Sequence, residues 1–399
     1  MIRLCIITTV PITVKAFFGE QLRFLQANGF DVTVITSPMI AQDERFGDSF
    51  PEGVTLKTVR TGRTIKPIED AIALFRILAI LKRGRFDIVE YATPKASLFG
   101  SIASWLVGVP VRLFLMWGSY YVTQKGIRKS IFKVCRKIVC RLSTDIAPDS
   151  KGGYQTAIKE GFCVAEKIAV VHRGSANGVD TEKFNPQKLA EAGMRIRSEL
   201  SLPRGAKVFG SVTPIVGDKG VNEMVAAFVK ITEQYPDTYL LIVGQTTIKD
   251  PVKPATLEII RNHPRIRNIG WQKEIVGYFA AMDIFVLPTY REGFGVVNIE
   301  ACAMQLPVIS TDVPGPRESI INGETGLLVP ARAVEPLVNA MKKLLDEPDF
   351  AHRLGVAGRR RVQKYYEQKQ LWKAIVEHRR ALLKKSGRFK EIDGEIIRV

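Results

Sequence analysis

The chain has 399 residues and a net charge of +18, and its 46% hydrophobic and 25% charged content excludes an intrinsically disordered protein. The positive excess indicates an anionic partner such as a phosphorylated ligand, an acidic membrane surface or a nucleic acid. Five cysteines without a C-x-x-C pair, and few histidines, argue against a zinc site or a disulfide framework and fit a reducing cytoplasm.

The start of the chain and its apolar runs predict neither a signal peptide nor a membrane span. The opening MIRLCIITTV lacks a long apolar core followed by a cleavage site. The uncharged run Ala96–Val111 is shorter than the roughly 20 residues that a spanning helix needs. We therefore expect a buried helix in this run.

Short β-branched runs alternate with helical patterns in the first part of the chain. One amphipathic helix is predicted at Glu69–Arg83. Strands are predicted at Leu4–Val10, Asp31–Ser37, Asp87–Ala92 and Val111–Trp117, with two more at Thr144–Ser150 and Lys167–His172. This alternation indicates a parallel sheet wrapped in helices.

A basic amphipathic helix is predicted at Lys125–Ser143. Its basic residues are Lys125, Arg128, Lys129, Lys133, Arg136, Lys137 and Arg141, and its apolar stripe is Ile127, Ile131, Val134, Ile138 and Leu142. In one interpretation the stripe packs on the core and the charges are solvated. In the other, which we favour, the cations bind anionic lipid, each contributing about 1 kcal/mol. The pattern then predicts peripheral membrane contact through Lys125–Arg141.

The alternation restarts after a linker-like stretch rich in Gly, Asn and Pro at Arg173–Pro186. A helix at Gln187–Leu200 precedes strands at Ala206–Thr213, Tyr239–Gln245, Ile266–Trp271, Asp283–Thr289 and Leu306–Asp312. The predicted fold is α/β, with two Rossmann-like doubly wound domains facing a cleft. We assign the first domain to residues 1–180, the second domain to 181–370 and a basic helix and tail to 371–399.

The stretch REGFGVVNIEA places two carboxylates beside a glycine-rich loop. Glu292 lies between a strand and a helix expected from Ala301 onward, and Glu300 is expected within that helix. Gly293 and Gly295 let a ligand approach the backbone, and the N–H groups of a helix start favour phosphate. Because carboxylates repel phosphate, the glutamates would hold neutral hydroxyl groups. The alternative is that both are ordinary solvated residues.

The residues around this loop carry a resemblance. The segment Pro288–Pro330 resembles the signature of the GT-B retaining glycosyltransferases of family four, and Gly217–Phe228 is similar to that family's Lys-Gly loop. The start of the chain resembles transferases of bacterial capsule and O-antigen synthesis. The matching positions are Glu292, Glu300, Ala301, Ala303, Pro307–Ile309, Gly315, Glu318, Gly323, Gly326 and Leu327.

The resemblance implies a nucleotide-sugar in the cleft, held mainly by the second domain, with the first domain on the acceptor side. It implies that the C-terminal basic helix braces the first domain, with Tyr365, Tyr366 and Trp372 as packing residues. It also implies a role for each matching residue. Lys219 would bind the diphosphate, Glu292 the hydroxyls of the transferred sugar, and Glu300 the ribose. The residues Gly293, Phe294, Gly295 and Val296 would form the phosphate loop, with Gly244 near the nucleoside. Glu318 belongs to the glycine-rich turn of the motif.

Two positions depart from the family pattern. Pro214 stands where many relatives have a phosphate-binding Arg. Arg291, Arg317 or a basic residue of the first domain would take over that phosphate contact. Trp117 stands where many relatives have a His that faces the sugar; it would either stack on an apolar face of the sugar or only pack. The chain has no Asp-x-Asp, and we expect neither a metal nor a cofactor, with Lys219 and helix dipoles neutralising the diphosphate.

The implied activity is that of a retaining glycosyltransferase of hexosyl or N-acetylhexosaminyl type. It would move a sugar from a UDP-linked donor to a polyprenyl-diphosphate-linked or other glycan acceptor, at the cytoplasmic face of the inner membrane. Two alternatives stay open: a sugar-nucleotide epimerase or hydrolase on the same fold, and a non-catalytic nucleotide-sugar-binding protein. No nucleic-acid-binding motif is visible, so we expect no nucleic-acid partner.

Overall fold

The computed structural model describes residues 1–38, 50–62, 64, 66–118, 120–247, 250–392 and 395–398. These residues divide into two compact units. The first comprises Met1–Asn177 together with Gln370–Val399, and the second is Gly178–Lys369. Each unit contains a six-stranded sheet whose neighbouring strands are parallel.

The sheet of the first unit has the strand order β3-β2-β1-β4-β5-β6. Its strands are β1 (Ile2–Ile7), β2 (Phe30–Thr36), β3 (Thr55–Thr58), β4 (Ile88–Tyr91), β5 (Val111–Met116) and β6 (Asp145–Pro148). The strand expected at 167–172 is wrong. Ile168 forms only an isolated bridge to Ile146, and the left-handed φ of +54° at His172 ends the extended run.

Helices cover both faces of this sheet. They are α1 (Pro11–Phe17), α2 (Gln21–Ala27), α3 (Pro67–Gly84), α4 (Pro94–Val107), α5 (Gly126–Leu142) and α6 (Lys151–Lys159). Ile77 of α3, Phe99 of α4 and Val139 of α5 share one core cluster. Val14 of α1 and Leu22 of α2 belong to the other. Since the crossovers through α3, α4 and α5 all advance in one direction across the sheet, right-handed connections place these three helices on the same face.

The uncharged run at 96–111 forms most of α4, which packs on the sheet through residues such as Phe99. The expectation of a buried helix is wrong for its last turn, where Trp105 is 52% and Leu106 55% exposed. Within the described ranges, no helix is long and apolar enough to cross a membrane.

The basic helix is confirmed as α5, but its apolar stripe does not pack on the core. Ile127 is 78% exposed and Val134 58% exposed, and Ile131 and Ile138 are also exposed. The helix packs on the sheet through Val139 and Cys140, both buried, at its C-terminal end. The interpretation in which the stripe faces the core is therefore wrong for these four residues.

The sheet of the second unit has the order β12-β11-β10-β7-β8-β9. Its elements are α7 (Ala190–Glu199), β7 (Lys207–Val212), α8 (Val221–Gln234), β8 (Thr238–Val243), α9 (Pro254–Asn262), β9 (Ile266–Asn268), α10 (Val276–Ala280), β10 (Ile284–Leu287), α11 (Val296–Ala303), β11 (Val308–Thr311), α12 (Pro316–Ser319), β12 (Leu327–Val329), α13 (Val334–Asp346) and α14 (Pro348–Tyr365). The predicted strands of this part are confirmed. Helix α11 begins five residues earlier than expected, because Gly295 adopts the left-handed conformation that starts it at Val296.

The chain ends with α15 (Gln368–Lys385) and a hairpin of β13 (Phe389–Ile392) and β14 (Glu395–Arg398). From Gln370 onward, α15 is part of the first unit. Its Arg379 forms a two-pronged ion pair with Glu90 of β4, and the side chains are 3% and 0% exposed. Trp372 is buried, and its indole N–H donates to Asn177 at 2.8 Å. The last helix is thereby fixed to the first sheet by a buried charge pair.

Candidate functional site

Two loops meet at the carboxyl edge of the second sheet. One follows β7 and the other follows β10, and these strands are neighbours. The backbone N–H of Tyr290 donates to the carbonyl of Asp218 at 2.8 Å, and the Thr289 hydroxyl donates to the same carbonyl at 3.2 Å. The carboxyl edge of an open parallel sheet is where ligands bind in such folds. These hydrogen bonds hold the two loops together there.

Gly220 allows the loops to approach each other. It has a left-handed φ of +69°, and a Cβ at this position would lie 1.9 Å from the carbonyl oxygen of Pro288. No other residue type fits both the conformation and the space. The glycine of the Asp-Lys-Gly sequence therefore positions Lys219 directly beside the loop after β10.

Lys219 and Glu292 form an ion pair between the two loops, through the lysine Nζ and the glutamate Oε1. Their side chains are 22% and 19% exposed, so the pair lies in a partly enclosed place that a ligand can still reach. The structure brings together the two residues that we predicted for the diphosphate and the sugar. A cation and an anion in contact suit a ligand in which an anionic group and a hydroxyl-bearing group are adjacent.

A second ion pair lies beside the first. Arg291 Nη2 is 2.6 Å from the Asp218 carboxylate, and both side chains are partly buried. The N–H of Asp218 donates to Asp250 Oδ2 at 2.6 Å. Sequence reasoning missed Asp250, since no motif marks it and its partner lies 32 residues away. Arg291 and Lys219 thus place two cations in the same pair of loops.

The other predicted substitute for the missing arginine is less well placed. Arg317 pairs with Asp312, and the two side chains are 56% and 50% exposed. This pair lowers the pKa of Asp312, mainly through the hydrogen bond from Arg317. Pro214 is itself exposed. Of these two arginines, Arg291 is the one in the loop that carries Glu292.

The glycine loop presents a row of backbone N–H groups. Within the described part of the chain, none of the N–H groups of residues 293–297 donates a hydrogen bond. The first N–H groups of a helix have no acceptor within the helix, so such a row is suited to an anion. Phe294 is 2% exposed and its ring packs 5.2 Å from that of Tyr366. The phenyl group anchors the loop while Gly293, Gly295 and Val296 keep their amides available.

The turn before α12 packs directly against the backbone of the glycine loop. Gly315 has a left-handed φ of +96°, and a Cβ there would lie 2.9 Å from the carbonyl oxygens of both Glu292 and Gly293. The carbonyl of Glu318 accepts hydrogen bonds from Arg361 Nη2 at 2.9 Å and from the Tyr366 hydroxyl at 3.2 Å. These contacts give the turn and α12 a role in positioning the backbone of the glycine loop.

Glu300 lies in α11, as predicted, on the second turn of the helix. Its side chain is partly buried, and desolvation raises the pKa of its carboxyl group to about 7, while Lys183 opposes that rise. No hydrogen bond or ion pair joins its carboxylate to another residue that the structure describes. An acceptor with this environment is suited to the hydroxyl groups of a ligand.

Gly244 directly follows β8, next to the loop after β7. A Cβ at Gly244 would lie 1.9 Å from the carbonyl oxygen of Thr213, and Gly244 also forms a bridge with Gly270. These contacts explain the glycine by packing. The role that we predicted for it near a nucleoside stays a prediction.

Trp117 belongs to the first unit and follows β5. Its ring lies 4.9 Å from that of Phe17 and 5.5 Å from that of Phe18. It also lines a cavity of about 40 Å³ with Glu90 and Arg379, among others. The side chain has a packing role, and sugar stacking by it stays a prediction.

Metal-binding groups do not cluster in the parts of the chain that the structure covers: no group of three or more His, Cys, Asp or Glu residues that could hold an ion is found there. Cationic side chains and backbone N–H groups are the anion-binding groups that the two loops supply.

Comparisons with known proteins match both halves of the chain. Residues 14–174 match the model of the glycosyl transferase 4-like domain, and residues 194–361 match glycosyl transferases group 1. The chain is 27% identical over 368 residues to the capsular polysaccharide biosynthesis glycosyltransferase CapM of Staphylococcus aureus, covering 92% of this chain and 94% of CapM.

A second relative and two solved structures agree with this. The chain is 27% identical to an Escherichia coli UDP-Gal:alpha-D-GlcNAc-diphosphoundecaprenol alpha-1,3-galactosyltransferase, over 82% of this chain and 83% of the relative. Sucrose-phosphate synthase of Thermosynechococcus elongatus superposes with a TM-score of 0.79 at 20% identity, over 96% of this chain and 100% of that chain. Anabaena HepE in complex with UDP-glucose gives 0.77 at 15% identity, over 96% and 100%. The chain is therefore a glycosyltransferase of the GT-B type, built from a glycosyl transferase 4-like domain and a group 1 glycosyl transferase domain.

Proposed function

We propose that this protein is a retaining glycosyltransferase of surface-polysaccharide biosynthesis. It transfers a hexosyl or N-acetylhexosaminyl group from a UDP-sugar to an acceptor linked to polyprenyl diphosphate, at the cytoplasmic face of the membrane. The second unit holds the donor and the first unit the acceptor. The observation that carries this proposal is the contact of Lys219 with Glu292 beside the row of unpaired N–H groups at 293–297.

That contact fits the chemistry of a sugar nucleotide. The anomeric carbon and the diphosphate are joined by one bond, so the groups that bind the sugar and the diphosphate must lie next to each other. When a donor binds, Lys219 exchanges Glu292 for a phosphate oxygen, and the carboxylate of Glu292 accepts hydrogen bonds from sugar hydroxyls. The ion pair keeps both groups in position before the donor arrives.

The departing diphosphate gains negative charge as its bond to the sugar breaks. In the proposed mechanism, Lys219, Arg291 and the N–H groups of residues 293–297 stabilise that charge; they belong to the two loops that the Lys219–Glu292 pair joins. Preorganised donors of this kind lower a barrier by several kcal/mol in other enzymes, roughly 3 to 4 for one strong donor. The proposed route needs no metal ion, and attack by the acceptor on the same face as the leaving phosphate would retain the anomeric configuration.

Glu300 is proposed to hold the ribose. Its carboxylate lies eight residues after Glu292, on the far side of the glycine loop, and has no protein partner among the described residues. A vicinal diol can donate two hydrogen bonds to one carboxylate. The raised pKa of Glu300 makes this binding dependent on pH, because only the ionised form accepts both.

Two observations support the proposed acceptor class: the name of a relative and the positive charge of α5. The name of the E. coli relative specifies a diphosphoundecaprenol acceptor and a UDP-galactose donor. Helix α5 carries exposed cations without an acidic residue between 125 and 141, including Arg128, Lys129, Lys137 and Arg141. Such cations attract anionic lipid headgroups and diphosphates alike. We therefore propose peripheral contact of α5 with an anionic membrane.

The proposal predicts large losses of activity from Glu292→Gln and Lys219→Met. Each variant should lower kcat/KM for sugar transfer by about 100-fold or more, because each removes a group that acts where bonds change. The assay uses radiolabelled UDP-sugars, a detergent-solubilised polyprenyl-diphosphate sugar and EDTA throughout. GDP- and ADP-sugars are tested in parallel for donor selectivity.

Glu324→Gln is the matched control, since Glu324 is an exposed glutamate of the same unit, and it should transfer at the wild-type rate. Unchanged transfer in Glu292→Gln would refute the assigned site. Sugar release that does not depend on an acceptor would instead identify a hydrolase. Tight donor binding with no transfer to any lipid-linked sugar would identify a binding protein.

A further inference from the structure

The first unit exposes an unusual number of large apolar side chains on adjacent helices. They lie on α3, α4 and α5 and in the segment before α5: Ile68, Ile72, Phe75, Trp105, Leu106, Val122, Ile127, Ile131, Val134 and Ile138. In the second unit, the exposed large apolar side chains of the described residues are Met194 and Ile321. Exposed apolar surface concentrated in this way marks an interaction site in a folded protein.

Helix α3 carries a stripe that sequence analysis did not single out. Ile68, Ile72 and Phe75 lie at positions i, i+4 and i+7, and they are 79%, 47% and 70% exposed. The opposite side of the helix is buried through Ala73, Ile77 and Leu81. The helix is therefore apolar on both its inner and its outer face over these turns, which packing on the sheet alone does not require.

Helices α3, α4 and α5 present their outer faces in the same direction. All three contribute to one core cluster on one face of the sheet, and α4 lies between its two neighbours, as the crossover order requires. Trp105 and Leu106 at the end of α4 are more than half exposed. We name the outer faces of these helices, with their nine exposed apolar residues and Val122 of the segment before α5, the α3–α5 surface.

Charge identifies the partner of this surface. The apolar side chains of α5 are interleaved with exposed Arg128, Lys129, Lys137 and Arg141, and α3 ends with exposed Lys82 and Arg83. An amphipathic helix that combines cations with large apolar residues binds in the interface of an anionic bilayer. A protein partner that buried the α5 stripe would also have to bury or pair these cations.

We propose that the α3–α5 surface inserts its apolar side chains into the headgroup region of an anionic membrane, with α3 and α4 contributing in addition to α5. The inference rests on the peripheral membrane contact of the proposed function, and it adds the residues and the mode of contact. The cations of α5 provide attraction, and Phe75, Trp105 and the isoleucines provide anchoring that salt does not screen. Indole rings such as that of Trp105 favour the membrane–water interface.

Trp105 is a native probe of insertion. The full-length protein is mixed with vesicles of phosphatidylcholine and phosphatidylglycerol at a ratio of three to one, with and without bromine on the acyl chains near the headgroups. We expect brominated lipid to quench the fluorescence component that Trp105→Phe removes. The other tryptophans, Trp117, Trp271 and Trp372, supply the background that this variant measures.

Paired variants separate the contributions to binding. Ile72→Ser with Phe75→Ser should weaken vesicle affinity at least about tenfold at 0.5 M salt, where charge attraction is screened. Met194→Ser with Ile321→Ser changes two exposed apolar residues of the second unit and should leave affinity unchanged. Replacing Arg128, Lys129, Lys137 and Arg141 by Gln should weaken binding at low salt and abolish the preference for anionic vesicles.

The outcomes are distinguishable. Wild-type vesicle affinity in the α3 variant, with no quenching of Trp105, would overturn the inference while leaving contact through the α5 cations intact. A change from dimer to monomer in the α3 variant, with unchanged vesicle binding, would also overturn it and assign the surface to a second copy of the chain. Failure of the wild-type protein to bind any vesicle would refute both the insertion of the α3–α5 surface and the membrane contact through the α5 cations. Sugar transfer to a short-chain, water-soluble acceptor tests the enzymatic proposal separately.

Discussion

The two units have the same topology and different surfaces. Numbered from its own first strand, each sheet follows the order 3-2-1-4-5-6. The second unit places two ion pairs and a row of unpaired amides at its strand ends, and exposes few large apolar residues. The first unit exposes a broad apolar and basic surface on three helices. One scaffold thus carries the candidate donor site in one half and the proposed membrane-contact surface in the other.

The difference shows where this fold can be altered without disturbing the sheet. Loops at the carboxyl ends of strands and the outer faces of crossover helices both lie outside the core. Changing them alters function while the buried strand residues continue to specify the fold. The two units also differ in buried charge, because the Glu90–Arg379 pair of the first unit is almost completely enclosed.

The largest expected effect on stability comes from breaking that pair. Glu90→Gln leaves the Arg379 guanidinium buried without a counter-charge, which costs about 3 to 5 kcal/mol in comparable cases. We expect the free energy of unfolding of the first unit to fall by that amount. Urea unfolding followed through the fluorescence of Trp372, which lies on the same helix as Arg379, measures the effect.

Two further variants sharpen this test. Glu69→Gln breaks the exposed pair of Lys66 and Glu69, whose side chains are 57% and 49% exposed, and should cost less than about 1 kcal/mol. The double change Glu90→Met and Arg379→Met removes both buried charges and should recover much of the lost stability. A loss below about 1 kcal/mol in Glu90→Gln would contradict the structural role of the pair.

The second unit should respond to pH through Glu300. Its pKa of about 7 lies above the usual value of 4.5, so the folded state binds the proton more tightly than the unfolded state does. Its contribution to stability therefore falls as pH rises from about 4.5 to 7. If Glu300 holds the ribose as proposed, donor binding has the opposite trend, because the ribose hydroxyls donate to the ionised carboxylate. We expect the affinity for a UDP-sugar to rise about tenfold from pH 6 to pH 8.

Calorimetric titration with an intact UDP-sugar measures this change, since its doubly substituted diphosphate has no group that titrates in this range. The Glu300→Gln variant should bind the UDP-sugar more weakly, and its affinity should not change with pH. Glu324→Gln, the exposed control, should keep the wild-type slope. A steep profile that survives in Glu300→Gln would assign the titration to another residue.

The sequence was sufficient for most strands of both sheets and for the placement of Glu292 and Glu300, although it predicted a strand at 167–172 that does not form and missed β3 and β12. Buried β-branched runs leave few alternatives to a parallel sheet, and glycines restrict a loop strongly. The contact between Lys219 and Glu292 could not be predicted in the same way. It depends on β7 and β10 being neighbours, and the residues lie 73 positions apart.

Helical periodicity left two interpretations of α5 open for a physical reason. A stripe at i, i+4, i+7 and i+11 shows that one face is apolar, but it does not show what covers that face. Ile127, Ile131, Val134 and Ile138 have the spacing of core residues and are exposed. The partner of Glu90 was also beyond reach, because Arg379 lies 289 residues later and joins β4 only in the folded chain.

The smallest expected effects concern which arginine replaces the phosphate-binding Arg that many relatives have at the position of Pro214. Arg291 shares the loop after β10 with Glu292, and its partly buried side chain pairs with Asp218 next to Lys219 in the sequence. Arg317 is more than half exposed and paired with Asp312, so solvent screens its charge.

Arg291→Gln should therefore weaken UDP-sugar binding about tenfold, or about 1.4 kcal/mol, whereas Arg317→Gln should change it less than twofold. Titration calorimetry at low salt compares the two variants with wild type, and Arg261→Gln on the surface of α9 controls for the lost net charge. Because the three substitutions remove the same charge from the same unit, a larger loss in Arg317→Gln than in Arg291→Gln would transfer the second phosphate contact to the α12 turn.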